Sequence, residues 1–442
     1  MHQSQSFAAV QHLCCFTFQV FEQLLVHGSD ATATLHNFFQ ILKWSFDTLL
    51  SGVFPDRDWT GEKHLGQISL FGLIPEKLGT ERRLVCAMAS HFQCFTPTHI
   101  HSLARYNAGT TGFLKAGQFI CGGYSIALVS VQGDLDFFAA SLGLPRWSLA
   151  AGGCPVCKCK AFGDMTWKKF YPPEHVINME WMPQEWLDWE GKSTCPLFEA
   201  IGVTACSVML DWMHVKYLGN DQYVYASVFY LLCFVVLPQT PLQNLLSIWE
   251  EMKGLYQSLN IIHRYHYFNR LTMFVRKSGP PKLRGKAAEV HHLHKVILQL
   301  WLQHYNENIA VHRQILLLLR LNSKIEDLLD EYRQDVALPA GPAKDLLDSC
   351  SSMCHLQSLL YDHFSQEDVQ LFNYTLKTHD IIHLAAHSHQ INPRLVWNFC
   401  GESNMGILKQ LGSTCVKGVA PQDACTKMLH HWSFGMHYEL QG

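Results

Sequence analysis

The sequence has few charged residues and no excess of positive charge. Aspartate, glutamate, lysine and arginine together make up 16% of the 442 residues, and the formal net charge is −3. This balance excludes a chain that binds nucleic acid through charge spread over its whole surface, so any DNA-binding surface has to be a local patch. The content of hydrophobic residues (48%) and of aromatic residues (12%) excludes a globally disordered chain.

Several common catalytic motifs are also missing. The sequence contains no GxxxxGK(S/T) phosphate-binding loop, no GxGxxG dinucleotide turn and no GxSxG nucleophile elbow. Their absence argues against ATPases, NAD-dependent enzymes and serine hydrolases of the usual kinds.

No apolar stretch has the length of a membrane span. The most apolar one, residues 223–237, would rise only about 22 Å as a helix, whereas a bilayer core is about 30 Å thick, so we expect a buried core helix. The first residues show no basic stretch ahead of an apolar core, which argues against a signal peptide. Many of the 16 cysteines lie inside apolar runs, which favours a reducing compartment. We therefore expect a soluble intracellular protein with no membrane partner.

Hydrophobic patterning changes from mixed to helical along the chain. The apolar runs at residues 124–131 and 203–210 are typical of short buried strands, residues 137–144 favour a helix, and almost everything from residue 222 onward favours helices. The prediction is an α/β to α+β fold with a large α-helical second half, interrupted by an irregular insert rich in cysteine and tryptophan.

A Cys-x-x-Cys pair is the first candidate site. Cys154 and Cys157 have the spacing at which two thiolates bind one zinc ion from a tight turn. A structural zinc needs four ligands and no second pair follows, so His214 and Cys195 are the best candidates for the other two. Ordinary loop cysteines are the main alternative, and redox chemistry is another.

Two carboxylates follow the predicted strands. Asp211 comes directly after residues 203–210, at the end of a strand where α/β folds place ligands and metals. His214 lies three residues further on and is either an outer partner of a metal-binding carboxylate or a zinc ligand itself. Asp134 follows the other strand. The alternatives are an N-cap role for Asp211 and ordinary turn chemistry for Asp134.

Glu289 is a third candidate carboxylate. On a helix it shares a stripe with Leu293, Val296 and Leu300, and a carboxylate on an inward face needs a partner or a metal. It also lies in the first turn after a Pro- and Gly-rich break, so an acid stabilised by the helix dipole is the alternative.

Histidines are numerous, with 26 in the chain. His379, His383 and His387 lie at successive i, i+4 positions, a spacing that can hold a metal. The HExxH pattern of zincins is absent, so structural or surface roles are favoured for these histidines.

Taken in order, these motifs resemble those of a known class of enzyme. Gly133-Asp134, the Cys154–Cys157 pair, Asp211-x-x-His214 and Lys286-Ala287-Ala288-Glu289 are similar in order and spacing to the motifs of CACTA/EnSpm-type cut-and-paste transposases. The resemblance spans roughly residues 36–435.

The resemblance implies an RNase H-like mixed sheet in which Asp211 and Glu289 are the second and third catalytic carboxylates. In such a core the acids hold two Mg²⁺ or Mn²⁺ ions about 3.5–4 Å apart for cleavage and joining of phosphodiester bonds. The family's first carboxylate has no counterpart in residues 1–27, which contain no aspartate, so the chain looks truncated there. Either this first acid is missing, or Asp134 replaces it.

The resemblance also implies a division of the chain. We expect residues 1–150 to form the N-terminal part of the core, 151–200 a Cys/Trp-rich zinc knuckle, 201–221 a core strand with the Asp-x-x-His motif, 222–280 a helical insertion, 281–337 the helix of the catalytic glutamate with its helical neighbours, and 338–442 a C-terminal helical region.

Two functions of different classes follow. The first is a metal-dependent DNA transposase or nuclease that acts on transposon ends in the nucleus, with a homodimer as one form of the assembly. The second is a transposon-derived remnant or helical scaffold that binds DNA or protein without catalysis, which the missing first carboxylate favours.

A basic patch comprises Arg276, Lys277, Lys282, Arg284 and Lys286. Such a patch can contact the phosphates of DNA, or it is a solvated turn beside a helix.

Overall fold

The computed structural model describes residues 31–53, 55–57, 61, 130–145, 153–189, 192–415, 417–418, 427–428 and 430–431. Contacts divide the chain into two units. The first comprises residues 1–129, 193–203 and 399–442, and the second comprises residues 130–192 and 204–398.

The described elements are mostly helical. Two strands, β1 (Val131–Gly133) and β2 (Val208–Leu210), belong to the second unit. The helices in chain order are α1 (Ala31–Ser51), α2 (Leu135–Ala140), α3 (Glu174–Ile177), α4 (Pro183–Asp188), α5 (Asp221–Leu231), α6 (Pro241–Ser258), α7 (Ala287–His291), α8 (His294–His304), α9 (Ala310–Glu331), α10 (Ala340–Gln366), α11 (Leu376–Ala386) and α12 (Phe399–Cys415). Two π-helical segments, Met213–Asn220 and Leu232–Val236, flank α5, and 3₁₀ turns occupy Pro196–Glu199, Ala205–Ser207, Leu271–Met273, His387–His389 and Pro393–Val396.

In the first unit, helix α1 presents an apolar face. Phe39, Leu42 and Leu49 are buried, at spacings of three and seven residues that place them on one side of a helix. Near the end of α1, the side chain of Asp47 accepts a hydrogen bond of 3.1 Å from the backbone N–H of Ile201. This contact ties the helix to the segment around the 3₁₀ turn Pro196–Glu199.

In the second unit, β1 and β2 pair in parallel. Gly133 lies opposite Leu210, so the residues that directly follow the two strands, Asp134 and Asp211, lie at the same carboxyl edge of the sheet. Neighbouring strands lie about 4.8 Å apart. The pairing therefore brings together two acids that are 77 positions apart in the sequence (211 − 134).

The fold class is confirmed in its coarse form, with helices and a small parallel sheet in one chain and a largely helical second half. In the described part of the chain the sheet has two strands, and a larger mixed sheet of the RNase H kind is not seen there. The predicted strand at 203–210 is shorter, because the Thr204 hydroxyl accepts a hydrogen bond from Cys206 N–H and starts a 3₁₀ turn. Of the predicted strand at 124–131, residues 124–129 lie outside the described residues.

The helix predicted at 137–144 begins and ends earlier, as α2. Asp134 caps it, accepting a hydrogen bond of 2.6 Å from Phe137 N–H. The apolar stretch at 223–237 is mainly α5 and the π-helical segment that follows, and most of its side chains are buried. Among the described helices, none is both long and apolar enough to cross a membrane.

A buried ion network lies in the helical core of the second unit. The Lys216 ammonium is fully buried and lies 2.8 Å from the Asp221 carboxylate and 2.6 Å from that of Glu326. Asn322 accepts a hydrogen bond from Lys216 and donates one to Asp221. Burial disfavours the charged form of Glu326, but Lys216 and the hydrogen bond from His291 outweigh it and lower the pKa of this carboxyl. The network fixes helix α9 against the chain that follows β2.

Replacing Lys216 with methionine should strongly destabilise the second unit. The substitution keeps a similar side-chain length but leaves two carboxylates buried without their cation, which costs about 3–5 kcal/mol of unfolding free energy. Lys344→Met is the matched control, since Lys344 forms an exposed pair with Asp348 and such pairs contribute little. Chemical denaturation of both variants measures the difference, and equal stabilities would show that the network does not hold the core.

Candidate metal centre

Helix α11 presents two histidines on one face. His379 and His383 are one helical turn apart, and both are buried. The helix begins with a capping box between Thr375 and Thr378, and the Thr378 hydroxyl donates to the Asn220 side chain over 2.8 Å. These contacts fix the rotation of α11, so its histidine face is held towards one place in the core.

The Cys154–Cys157 turn lies opposite those histidines. Two backbone hydrogen bonds fasten the turn: Lys158 N–H donates to Met179 O over 2.8 Å, and Trp181 N–H donates to Val156 O over 3.1 Å. Both thiols are buried, Cys154 at 2% and Cys157 at 4% exposure.

The four side chains form one candidate site. The sulfur atoms of Cys154 and Cys157 and one nitrogen of each histidine all lie within 4.8 Å of one another. His379 Nε2 is 3.3 Å from Cys157 Sγ and 3.0 Å from His383 Nε2. In a tetrahedral zinc site, bond lengths of about 2.0–2.3 Å put the ligand atoms about 3.3–3.8 Å apart. The donor types and spacing fit a metal such as zinc, bound by two sulfurs and two nitrogens.

Glu180 orients the histidines from outside the site. Its carboxylate accepts hydrogen bonds from His383 Nδ1 at 2.6 Å and from His387 Nε2 at 3.0 Å. With its Nδ1 proton held by Glu180, His383 keeps the lone pair of Nε2 available to a metal among the four candidate ligand atoms. Such carboxylate–histidine pairs are the usual outer partners of bound metals. Burial opposes ionisation of Glu180, but hydrogen bonds from both histidines lower its pKa to about 2.

A third thiol and a buried acid adjoin the four ligands. Burial raises the pKa of Cys154 and Cys157, whereas hydrogen bonds from these two thiols and from His379 lower the pKa of Cys159. Asp380 lies 3.4 Å from Cys154 Sγ, and burial followed by the charge of Cys159 raises the pKa of this carboxyl to about 8. A zinc ion would reverse the preference of the two buried thiols, because bound cysteine is a thiolate.

Two ligands proposed from the sequence are replaced. The metal group consists of Cys154, Cys157, His379 and His383, and it does not include His214 or Cys195. His214 Nδ1 is instead hydrogen-bonded to the Asp211 carboxylate. Cys195 belongs to the first unit, where it is the N-cap residue of a 3₁₀ turn.

Sequence reasoning detected the i, i+4 spacing of His379 and His383 but favoured a structural role for it. A chemical argument could have paired them with the cysteines. A zinc site on Cys154 and Cys157 needs two more ligands, and His379 and His383 offer two imidazoles on one helical face. Glu180 carried no signal, because its role depends on a contact 203 residues away.

Asp211 and Asp134 form a second group of interest. Asp211 is buried, and its Oδ1 accepts hydrogen bonds of 2.9 Å from the backbone N–H groups of Met213 and Asn398. Burial lowers the pKa of His214, but the hydrogen bond to Asp211 outweighs this and raises it. Asp134 is half-buried, and its negative charge also raises the pKa of His214. Asp211 therefore accepts a cap-like hydrogen bond from the chain that follows it, as the alternative predicted, and Asp134 is the N-cap residue of α2.

Glu289 is not joined to the two aspartates. Its carboxylate accepts a hydrogen bond of 2.7 Å from Lys286 N–H at the start of α7, and it lies near Tyr256 and Tyr265. The geometry therefore agrees with the alternative given from the sequence, an acid in the first turn of a helix. A metal-binding role for Glu289 stays a prediction.

Lys377 connects the two groups. It precedes His379 on α11, and its ammonium donates to the backbone carbonyl of His214 over 3.0 Å. Burial lowers the pKa of Lys377, although nearby carboxylates including Asp134 and Asp211 oppose the shift. One helix therefore contributes imidazoles to the candidate zinc site and a cation to the aspartate pair.

Comparison of the chain with protein-family models, with curated proteins and with solved structures gives no match.

We expect one zinc ion per chain, lost when a cysteine of the turn is replaced. Cys154→Ser and Cys157→Ser remove a sulfur ligand, so metal analysis after dialysis should fall from about one zinc per chain to near zero. Cys206→Ser, which alters an exposed thiol, and Cys159→Ser should keep the metal. Zinc retained by both turn variants would contradict the four-ligand assignment.

Replacing Glu180 with glutamine should weaken zinc binding without removing a ligand. Loss of such an outer carboxylate typically costs 10–100-fold in metal affinity, about the range we expect here in a chelator competition titration. Glu174→Gln, at an exposed position of helix α3, serves as the control and should leave the affinity unchanged. Equal affinities for the two variants would show that Glu180 does not orient His383.

Proposed function

We propose that the chain is a transposase-derived protein that cleaves phosphodiester bonds of DNA with a divalent cation at Asp134 and Asp211. The observation that carries this proposal is the register of β1 and β2, which places the two aspartates side by side at the carboxyl edge of a parallel sheet. The order of motifs in the sequence supports the same reading. An RNase H-like core is part of the proposal.

The two carboxylates suit Mg²⁺ or Mn²⁺. Each carboxylate oxygen has two lone pairs, so Asp211 keeps acceptor capacity beyond its bonds to two backbone N–H groups and His214. In Asp134 the cap bond uses Oδ1, and among the described residues Oδ2 accepts no hydrogen bond. Mg²⁺ is commonly held by one or two carboxylates together with substrate phosphates, which matches this pair.

The surrounding residues prepare the pair for this role. The backbone N–H groups of Met213 and Asn398 fix one oxygen of Asp211, and His214 fixes the other. When bound, the cation would polarise the phosphodiester and lower the pKa of an attacking water or hydroxyl. His214 positions Asp211, and the Lys377 ammonium offsets negative charge beside it.

The zinc site has a structural part in this proposal. It is closed by four protein ligands with no position left for a substrate, as structural zinc sites are. By holding α11 to the cysteine turn, it would fix Lys377 beside the aspartate pair. A protein that cuts DNA acts where DNA is, so the proposal includes a nuclear location, and transposon ends as the natural substrate.

Cleavage of a DNA duplex in the presence of Mg²⁺ or Mn²⁺ tests the proposal. Asp211→Asn and Asp134→Asn should each reduce cleavage at least about 100-fold, because each removes a charge that holds the cation. Electron paramagnetic resonance of Mn²⁺ should show tight binding to the native chain and weak binding to both variants. The zinc content of each variant, compared with that of the native chain, separates loss of the cation from loss of the fold.

Asp136→Asn is the matched control. It alters an exposed acid two residues from Asp134 and should keep cleavage within a few-fold. If a zinc-loaded native chain binds DNA but neither cuts it nor binds Mn²⁺, catalysis is refuted and the non-enzymatic DNA-binding alternative replaces it.

A further inference from the structure

A small loop next to the cysteine turn presents an aromatic side chain to solvent. Residues 160–167 form this loop, which is closed by a hydrogen bond of 3.0 Å from Trp167 N–H to Lys160 O. Phe162, inside the loop, is 74% exposed. Gly163 supplies the left-handed backbone, with φ of 83°, that turns the chain after this residue. The loop therefore exposes a large apolar ring on a closed backbone.

The base of the loop rests on the candidate zinc site. Met165 and Trp167 pack against the buried cluster that contains Cys154 and Cys157. The ring of Trp167 also meets that of Tyr374 edge to face, with centroids 6.1 Å apart. These contacts hold the loop in place before any ligand arrives, which reduces the entropy lost on binding.

One lysine lies against two rings of the loop. The Lys168 ammonium is 4.8 Å from the ring centroid of Phe162 and 5.7 Å from that of Trp167, which are cation–π distances. Lys168 is exposed, and within the described residues it forms no salt bridge. The rings fix the position of the ammonium, while its three N–H groups remain available to an anion.

The segment around the loop has more lysines than acids. Residues 158–173 contain four lysines and one acid, the exposed Asp164. Lys158 is paired with Glu185 over 2.8 Å. The other lysines are exposed and form no salt bridge in the part of the chain that the structure describes: Lys160, Lys168 and Lys169. This excess of positive charge favours an anionic partner.

We propose that Phe162 and Lys168 bind one nucleotide of single-stranded DNA, with its base stacked on the Phe162 ring and its phosphate at the Lys168 ammonium. Exposed rings beside cations suit unpaired nucleic acid, because every base has a π face and every nucleotide carries a phosphate. The bases of a duplex are already stacked on one another, so a duplex cannot use the ring in this way. The choice of DNA over RNA rests on the proposed function, whereas the contacts of the loop do not involve Asp134 or Asp211.

Fluorescence anisotropy with a labelled 20-nucleotide oligothymidylate tests the site on the full chain, in buffer that contains zinc but no added Mg²⁺. Phe162→Ala should lower the affinity about 5-fold to 150-fold, the loss expected when one stacking side chain is removed. Phe162→Trp, which keeps a ring, should bind at least as tightly as the native chain. Lys168→Gln should reduce the slope of log affinity against log salt concentration by about 0.7, and Lys168→Arg should keep the native slope.

Tyr267→Ala and Lys324→Gln are the matched controls. They alter an exposed ring and an exposed lysine outside the loop, so both should bind as the native chain does. Circular dichroism and zinc content establish that each variant folds. Native affinity in folded Phe162→Ala, or a native salt slope in folded Lys168→Gln, refutes the site. Binding of oligouridylate or of a DNA duplex as tight as that of oligothymidylate refutes single-stranded DNA as the ligand.

Failure of the cleavage function is seen separately. Asp134→Asn and Asp211→Asn should bind the oligonucleotide with native affinity, because neither carboxylate belongs to the loop. A chain that binds oligothymidylate through the loop but never cuts DNA refutes only the cleavage function. A chain that cuts DNA, and whose Phe162→Ala variant binds oligothymidylate normally, refutes only this site.

Discussion

The packing of helix α11 against the cysteine turn is the contact on which the rest of this region depends. It brings two thiols and two imidazoles out of water and places their sulfur and nitrogen atoms within 4.8 Å of one another, close enough for one metal ion to bond to all four. Since Thr378 and Lys377 on the same helix bond to Asn220 and to the carbonyl of His214, the placement of the segment after β2 follows from that packing.

The two candidate cation sites differ in their chemistry and are therefore expected to select different metals. The sulfur and imidazole set on α11 and the cysteine turn suits zinc, whereas the aspartate pair offers only hard oxygen atoms, the ligands of Mg²⁺. One site is closed and buried; the other has a half-buried carboxylate at the edge of the sheet. In the proposed function, this contrast corresponds to a structural task for the first site and a substrate-binding task for the second.

Local sequence patterns predicted the structural features that depend on residues close together in the sequence. They missed the features that depend on residues far apart in the sequence. The Cys154–Cys157 pair could be predicted because two residues separate its members, and the helical second half because apolar residues recur along it. The partners of the cysteines could not, because His379 is 222 residues from Cys157. His214 was chosen as a ligand because it follows a strand, but its ring is hydrogen-bonded to Asp211, three residues away. The register that brings Asp134 close to Asp211 likewise depends on tertiary structure, because the two strands are far apart in the sequence. Each acid by itself was identified from its position after an apolar run.

The four candidate zinc ligands lie far apart in the sequence, so the site can form only late in the synthesis of the chain. Cys154 and Cys157 leave the ribosome long before His379 and His383, so a nascent chain that ends anywhere before α11 carries two thiols with no imidazole partners. Closure of so long a loop is slow compared with local helix formation. During synthesis the cysteine turn is thus an open thiol pair, available to oxidants or to competing metals, and the fold is completed only when its last ligands have been made.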